Sequence, residues 1–461
     1  MASANSPHVL IIGAGITGLA LGQALRQNGI PFTIFERDPT PDYRGKGWGL
    51  SLHWSLDMFL SWLPHNLADR LPESYVNPDA MAEGDLGQFQ IFDLKTGKVK
   101  FVVPPSRRIR VARERLRRLL MEGLDIQWNK CLSDISESSA TSICAHFTDN
   151  SSAIGTQVLG CDGIRSRMRM ILCTSPRLPP GIKTSYENYK LPIRLMGVNV
   201  PFKPHLADKF IKIDKYFLQG TDPDTNFSLW FSFLDTPSNN TREDQDSYDC
   251  QIMIGWPYRR EFLGREEPLD IPLDNIDRLK MMKFFSRDWA EPFGEIVQHI
   301  PDDTVVKVVS LEDFQPPMKG LWDNIHGKAT LIGDAAHGMT MFRGEGGNHG
   351  LYDVGSFMQS FIPALKPVQN GGAVKTLQEA CDEYEQEMIT RTRPAVIRSR
   401  QASLDAHDYA SLSEESPLIS KRAPYFACDQ VSPPSRDAQG GHPVNGSSPG
   451  VFTRGEKLSR L

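Results

Sequence analysis

Two stretches decide the fold: His8-Val-Leu-Ile-Ile-Gly-Ala-Gly-Ile-Thr-Gly-Leu-Ala20 and, shortly after it, Phe32-Thr-Ile-Phe-Glu36. The run from Val9 to Ile12 is short and wholly apolar, which is typical of a strand buried on both faces. A glycine-rich turn, a helix-forming stretch and a second apolar strand follow it. Strand, helix and strand in this order predict a β-α-β unit at the start of a doubly wound α/β domain.

The glycines of this unit predict a dinucleotide site. Gly13, Gly15 and Gly18 have the G-x-G-x-x-G spacing, which provides a tight turn, close approach of the backbone to a pyrophosphate and close packing of helix on strand. The N-terminus of the helix offers free N–H groups to the phosphates. Glu36 ends the second strand, where a carboxylate accepts hydrogen bonds from a ribose diol.

Composition narrows the class of protein. The chain has 461 residues, 40% of them hydrophobic and 23% charged, which fits a globular protein of two or three domains. A net charge of −5 favours neither nucleic acid nor an anionic membrane as a partner. No apolar run approaches the roughly 18 residues of a membrane helix, and no signal peptide is evident. The seven cysteines are scattered, which predicts neither disulfides nor a zinc site and favours a cytoplasmic location.

Two further motifs carry chemistry. They are Gly160-Cys-Asp-Gly-Ile-Arg-Ser-Arg-Met-Arg169 and Gly333-Asp-Ala-Ala-His337, which continues into Gly344-Glu-Gly-Gly-Asn-His-Gly-Leu-Tyr-Asp353. Asp334 follows a predicted buried strand, so its carboxylate can accept hydrogen bonds from ribityl or ribose hydroxyl groups. The glycines after Gly344 leave bare backbone at a helix N-terminus, whose positive dipole stabilises negative charge on a ligand.

Together with the N-terminal fingerprint, these motifs resemble the group A flavin monooxygenases, the para-hydroxybenzoate-hydroxylase-like family of single-component enzymes. The segment 339–349 is similar to the fungal secondary-metabolism branch of that family, and the resemblance covers roughly residues 8 to 400. It implies FAD as cofactor and NAD(P)H and O₂ as co-substrates. One oxygen atom would pass through a flavin C4a-hydroperoxide to an electron-rich aromatic, indolic or polyketide-type small molecule, by hydroxylation or epoxidation in natural-product biosynthesis.

The implied fold class is α/β: a Rossmann-type FAD-binding domain with an inserted mixed β-sheet substrate domain and C-terminal helices. We predict residues 1–180 and 301–405 as the two parts of the FAD-binding domain and 181–300 as the substrate-binding sheet. A predicted hairpin at 87–103 is a candidate addition to that sheet. Residues 406–461 are polar and rich in Ser, Pro and Gly, which predicts a flexible tail.

The resemblance also implies cofactor roles for residues outside the first fingerprint. They are Gly47, Gly49, Arg113, Asp162, Gly163, Asp334, Gly346, Gly347 and Asn348. For Asp162, a turn held by the carboxylate is the alternative to a contact with FAD or NAD(P)H. One departure is Met341, which stands where the family has a proline and so relaxes the backbone.

Catalytic side chains are harder to identify. Arg194 and Tyr216 are candidates for ionising a phenolic substrate, because basic and phenolic residues on this sheet take that role in some relatives. A strand-surface charge and a core tyrosine are the respective alternatives. His337 and His349 are not predicted to bind a metal ion, since flavin chemistry explains their segment better. A flavin-dependent dehydrogenase or reductase on the same fold, or a non-catalytic FAD-binding protein, is the alternative function.

Overall fold

A computed structural model describes residues 7–45, 47–181, 183–239, 246–366 and 375–424. The strands, numbered in chain order, are β1 (Val9–Ile12), β2 (Phe32–Phe35), β3 (Gly49–Leu52), β4 (Gln90–Asp93), β5 (Val99–Val102), β6 (Ile109–Ala112), β7 (Ile126–Gln127), β8 (Leu132–Ser139), β9 (Ser142–Phe147), β10 (Ser152–Gly155), β11 (Gln157–Gly160), β12 (Tyr189–Lys190), β13 (Ile193–Phe202), β14 (Phe217–Thr221), β15 (Ser228–Asp235), β16 (Tyr248–Pro257), β17 (Lys307–Val309), β18 (Glu312–Asp313) and β19 (Ala329–Leu331). The helices, numbered in the same way, are α1 (Ile16–Gln27), α2 (Leu56–Ser61), α3 (His65–Ala68), α4 (Pro78–Ala82), α5 (Arg113–Met121), α6 (Arg167–Cys173), α7 (Pro204–Ile211), α8 (Asn275–Ser286), α9 (Phe293–Gln298), α10 (Asp334–His337), α11 (Gly346–Leu365) and α12 (Leu377–Asp405).

The first domain is built on a five-stranded parallel sheet of order β19-β11-β1-β2-β7. Its central strand β1 is buried at every residue, as the continuous apolar run predicts. Helix α1 packs on β1 and β2 and against α11, which packs in turn on α12. Because the carboxyl ends of parallel strands meet at one edge, the turns after β1, β2, β11 and β19 lie together there.

The second domain is a seven-stranded sheet of order β17-β13-β16-β15-β14-β4-β5. Most neighbouring strands in this sheet are antiparallel, but β4 runs parallel to β14. Strand β5 pairs with β4 as a hairpin and forms one edge of the sheet. One face packs on α7, α8 and α9 through a core that includes Trp256 and Phe231. The opposite face packs on the end of α12 and on residues 412–419, and it also borders the main cavity.

The C-terminal part of the described chain departs from the predicted flexible tail. After α12 ends, Leu412, Leu418 and Ile419 are buried against the seven-stranded sheet and α12. Residues 406–424 therefore belong to the packed fold, while 425–461 lie outside the described residues. Within the described residues, no helix combines the length and hydrophobicity needed to cross a membrane.

Candidate active site

A cavity of about 1370 Å³ runs from the carboxyl edge of the parallel sheet to the open face of the seven-stranded sheet. Small-molecule pockets usually measure about 300–1000 Å³, so this cavity has room for a dinucleotide and a second molecule. Eleven of the thirteen predicted cofactor residues line it; they are Gly13, Gly15, Glu36, Gly47, Gly49, Arg113, Asp162, Gly163, Asp334, Gly346 and Gly347.

The first glycine turn is shaped by close backbone contacts. Gly13 has φ +112°, and a Cβ there would lie 2.4 Å from the carbonyl oxygen of Cys161. A Cβ at Gly18 would lie 2.1 Å from the carbonyl oxygen of Gly13, so Gly18 sets the helix against the turn. Gly15, in contrast, begins α1 with open space in front of it. Gly13 and Gly18 are thus required by close backbone contacts, whereas Gly15 leaves open space at the start of α1.

The acid after β2 is held in place by the backbone. Glu36 accepts hydrogen bonds from the N–H of Ala14 at 2.7 Å and from the N–H of Asp38 at 3.0 Å. The carboxylate is 7% exposed and lies on the cavity wall beside the glycine turn. This is the position from which a carboxylate reaches a ribose diol.

The cavity wall also carries the positive charge of Arg113. Arg113 is the first residue of α5, and its backbone N–H donates to the carbonyl of Trp48 at 3.0 Å. A Cβ at Gly47 would meet only the Arg113 side chain, at 3.6 Å. Burial lowers the pKa of Arg113, while Asp334 opposes the shift. Gly49 leaves space for a different arginine, because a Cβ there would lie 2.6 Å from the guanidinium of Arg110.

The turn after β11 is held by Asp162. Its Oδ2 accepts from the backbone N–H groups of Arg167 at 2.7 Å and Met168 at 3.1 Å, at the start of α6. Its Oδ1 is buried without a hydrogen-bond partner among the described residues. Burial raises the pKa of this carboxyl group. Asp162 therefore holds the turn and also keeps one acceptor free for a ligand.

Asp334 sits in a second tight turn. Gly333 has φ +67°, and its N–H donates to Asp353 at 2.8 Å. Asp334 lines the cavity, and its side chain is exposed there. Desolvation raises its pKa, although the charges of His337 and Arg113 oppose the shift. A carboxylate acceptor thus lines the cavity at Asp334.

Helix α11 begins beside Asp334 with bare backbone. A Cβ at Gly347 would meet nothing within 4 Å, and one at Gly346 would contact Asp334 at 3.7 Å. Asn348 is not among the described residues that line the cavity: its Oδ1 accepts from the His53 N–H at 2.9 Å and from Ser55 Oγ at 2.8 Å. Asn348 therefore joins the helix start to the segment after β3, and any effect on a cofactor is indirect.

A buried network of charged and polar side chains holds the turn at Gly333. His337 Nε2 lies 2.6 Å from Asp353, which also accepts from Arg391 at 2.6 Å. Arg391 in turn lies 2.7 Å from His349 Nδ1. The charges of His337 and Arg391 hold the pKa of Asp353 below its ordinary value. The two histidines thus belong to a hydrogen-bond network that positions Gly333.

Met341 lies at the start of a short 3₁₀ turn, Met341–Arg343, and it lines the cavity. Its carbonyl accepts the Gly344 N–H at 2.8 Å. That carbonyl is therefore engaged in the turn that leads into α11.

The two predicted catalytic residues lie elsewhere. Neither Arg194 nor Tyr216 is among the described residues that line the cavity. Arg194 pairs with Asp270 at 2.6 Å and stacks on Tyr258 at 3.3 Å. The Tyr216 hydroxyl is directed to the backbone carbonyl of Asp85 at 2.7 Å, and desolvation raises its pKa. Both side chains have structural partners, so we withdraw their assignment as catalytic residues.

Other residues supply the sheet end of the cavity. Trp230 is the aromatic of β15 that lines it, and it stacks on Phe217 at 5.3 Å. His53 also lines the cavity, and burial lowers its pKa to about 3, which keeps the ring neutral. Arg108, Arg110, Arg343 and Arg422 complete this end. The alternating Arg108-Ile-Arg110 sequence is a signal that sequence reasoning missed.

The residues present fit a flavin dinucleotide. The glycines leave a cradle with open space at Gly15, Gly163 and Gly347. The free Oδ1 of Asp162 and the carboxylates of Glu36 and Asp334 provide acceptors for hydroxyl groups.

Comparisons with known proteins agree with this geometry. Residues 7–185 match the family described as FAD binding domain. A protein of Arthroderma benhamiae named "Probable FAD-dependent monooxygenase" is 54% identical over 92% of this chain and 97% of its own length. FAD-dependent monooxygenase dbaB of Emericella nidulans is 36% identical over 88% of this chain and 97% of its own length.

Solved structures share the fold. The 2,6-dihydroxypyridine-3-hydroxylase from Arthrobacter nicotinovorans has a TM-score of 0.67 at 18% identity, covering 94% of this chain and 100% of its own. Klebsiella pneumoniae HpxO complexed with FAD and uric acid has a TM-score of 0.63 at 18% identity, covering 87% of this chain and 89% of its own. Fold and site together define an oxidoreductase that uses FAD. More narrowly, the chain belongs to the family of FAD-dependent monooxygenases.

Proposed function

We propose that the protein uses NAD(P)H and O₂ to transfer one oxygen atom to an electron-rich aromatic small molecule of natural-product type. The observation that carries the proposal is the continuity of one cavity, from the glycine turn at Gly13 to the aromatic side chains Phe217 and Trp230. The names of the related monooxygenases support the reaction type. The six described cysteines form no disulfide, which supports a cytoplasmic location.

The protein's residues would bind and orient the cofactor and exclude water. Glu36 and Asp334 would accept hydrogen bonds from sugar and ribityl hydroxyl groups, and Arg113 would balance phosphate or ring charge. The start of α11 at Gly346 and Gly347 would place a helix dipole beside a negatively charged ring. Bound FAD would supply the redox and oxygen-activating chemistry.

The test follows NADH and NADPH oxidation by the purified yellow protein with a panel of phenolic and indolic compounds, in air and under nitrogen. We expect a compound to stimulate NAD(P)H oxidation in air, and ¹⁸O from ¹⁸O₂ to appear in its product. Substrate reduction that proceeds equally well under nitrogen would instead support a reductase. A flavin spectrum without turnover across the panel would support a binding protein.

A further inference from the structure

Three arginines meet at the sheet end of the cavity, and we name them the arginine cluster: Arg108, Arg110 and Arg422. Arg110 lies on β6 and Arg108 immediately precedes that strand, and both guanidinium groups lie near the ring of Phe217. Arg422 comes from the packed segment after α12, more than 300 positions further along the chain. The cluster thus joins a strand of the cavity wall to the C-terminal part of the described chain.

Acids near the arginine cluster act on it through their charge without pairing directly with it: Asp214 acts on Arg108 and Arg110, and Glu345 acts on Arg422. Arg108 donates to the carbonyl of Leu86 at 3.0 Å, and Arg110 donates to Ser51 Oγ at 3.0 Å. Arg422 donates to backbone carbonyls, including that of Leu418 at 2.9 Å. Within the described residues none of the three forms an ion pair. Their neighbour Arg343, in contrast, forms a bidentate pair with Glu345.

Two nitrogen atoms of the cluster are buried without a hydrogen-bond partner among the described residues. They are Nε of Arg110 and Nη2 of Arg422, on side chains that are more than nine-tenths buried. Burial lowers the pKa of both guanidinium groups to about 9, and the charge of Arg108 acts in the same direction. Asp214 and Glu345 oppose these shifts only in part, because neither forms an ion pair with the two arginines. Buried charges without a directly paired counter-ion are unfavourable, so an anion on the cavity side would complete the site.

Aromatic rings form the adjoining walls. The Phe217 ring has the Arg108 guanidinium at 5.2 Å and the Arg110 guanidinium at 4.9 Å from its centroid. Arg422 lies 5.1 Å from the Phe89 ring, and Phe89 contacts Phe217 edge-on at 5.0 Å. A slot of aromatic rings next to unpaired cations matches a planar ring that carries a negatively charged oxygen.

We propose that the arginine cluster binds an anionic oxygen of the aromatic substrate, either a carboxylate or an ionised phenol, and that Arg422 makes the C-terminal segment a determinant of specificity. The inference rests on the proposed function, because it states the charge of the molecule that the monooxygenase would oxidise. It assigns no proton transfer to the arginines. Their role is to bind the anionic oxygen and so to position the aromatic substrate.

The test titrates the FAD-loaded protein with three small aromatic probes by calorimetry. 2,4-Dihydroxybenzoate carries a carboxylate, and 2,4-dihydroxybenzamide is its neutral counterpart. 2,4-Dihydroxybenzaldehyde is titrated below and above the pKa of its phenol groups. We expect binding of the benzoate to exceed that of the benzamide about tenfold or more. A gain in aldehyde affinity on ionisation would identify a phenolate as the anion, and benzoate preference alone would identify a carboxylate.

Variants assign the preference to the cluster. We expect Arg110→Gln and Arg422→Gln each to lose the preference for the anionic probe by about tenfold. Arg110→Lys and Arg422→Lys keep the charge and should retain part of it. Arg260→Gln is the matched control, because Arg260 is an exposed arginine paired with Glu267 outside the cavity. Flavin content and thermal melting identify variants that fail to fold. If a Gln variant fails to fold, the anion preference of the corresponding Lys variant is used instead to test the role of that arginine.

Two results would overturn the inference. One is equal affinity for all charge states of the probes in the unaltered protein. The other is retention of anion preference in folded Arg110→Gln and Arg422→Gln. Either result would leave the proposed function intact if the same yellow protein still shows substrate-stimulated NAD(P)H oxidation. If no compound stimulates NAD(P)H oxidation, that result counts against the proposed function. The probe affinities test only the inference about the arginine cluster.

Discussion

At the scale of single residues, the cavity separates side chains that shape the backbone from side chains that would contact a ligand. The sequence predicts both Gly18 and Asn348 at the cofactor, yet Gly18 packs on the carbonyl of Gly13 and Asn348 bonds to the segment after β3. Glu36 and Asp334, in contrast, line the cavity directly. Loss of FAD should therefore follow most directly from changes at these two acids.

We expect Glu36→Ala and Asp334→Ala each to weaken FAD binding roughly 10- to 150-fold, because each removes a charged hydrogen-bond acceptor, worth about 1.5–3 kcal/mol. The ratio of flavin to protein in purified samples measures the loss. Asp302→Ala is the control, since Asp302 is a surface carboxylate that is 94% exposed. Normal flavin content in both site variants would refute their assignment.

Met341 permits a second prediction at this scale. Proline is tolerated at the first position of a helical turn, and Thr340 before it has φ −69° and ψ 163°, which proline accepts in its predecessor. We expect Met341→Pro to keep its FAD and to change the free energy of unfolding by about 1 kcal/mol or less. Chemical denaturation measures this, and Met341→Ala separates the lost side chain from the constrained backbone. Loss of flavin from the proline variant alone would show that this turn must move when the cofactor binds.

At the scale of elements, regular patterns are readable from the sequence and irregular ones are not. The β1-α1-β2 unit and Asp334 at the end of a buried strand follow from local rules: a continuous apolar run, glycine spacing and a following acid. Helix α7 escapes prediction because its apolar positions, Leu206, Ala207 and Phe210, lie within a stretch dominated by strand-forming residues.

The packed segment 406–424 escapes prediction for a different reason. Serine, proline and charged residues separate its few apolar side chains, so its composition resembles a tail. Burial of Leu418 and placement of Arg422 depend on contacts with a distant sheet. Such contacts leave no periodic signal in the local sequence.

This segment can be tested through its main apolar anchor. Leu418 is fully buried, and its carbonyl accepts from Arg422. We expect Leu418→Ala to lower the free energy of unfolding by about 2–5 kcal/mol, since it leaves a cavity. Leu273→Ala, at a residue that is 95% exposed, should change the free energy by less than about 0.5 kcal/mol. Equal denaturation midpoints for the two variants would show that the segment does not contribute to stability.

At the scale of the whole molecule, buried neutral histidines predict sensitivity to acid. Desolvation lowers the pKa of His407 to about 4, and its Nδ1 bonds to the carbonyl of Ser403 at 2.7 Å. Between pH 6.5 and 4 the unfolded chain binds a proton there that the folded chain does not. Stability contributed by the neutral ring is therefore present above pH 6.5 and is lost as the pH falls toward 4.

We expect His407→Gln to remove this contribution, which amounts to about 3 kcal/mol across that range. Free energies of unfolding measured by urea denaturation at several pH values give the slope. His65→Gln changes an exposed histidine and serves as the control. An unchanged slope in His407→Gln would mean that His407 is protonated in the folded protein as easily as in the unfolded chain.

The order of strands in the parallel sheet also has a consequence for biosynthesis. Strand β1 pairs with β11, and β11 pairs with β19, so neighbouring strands come from positions far apart in the chain. Translation at about 5–20 residues per second separates Gly13 from Asp334 by roughly 15–60 seconds on the ribosome. We therefore expect the cavity to be assembled in stages: the turn at Gly13 gains its contacts with Cys161 first, and the wall at Asp334 forms later. Cofactor capture would then be a late event that depends on synthesis of the segment around Asp334.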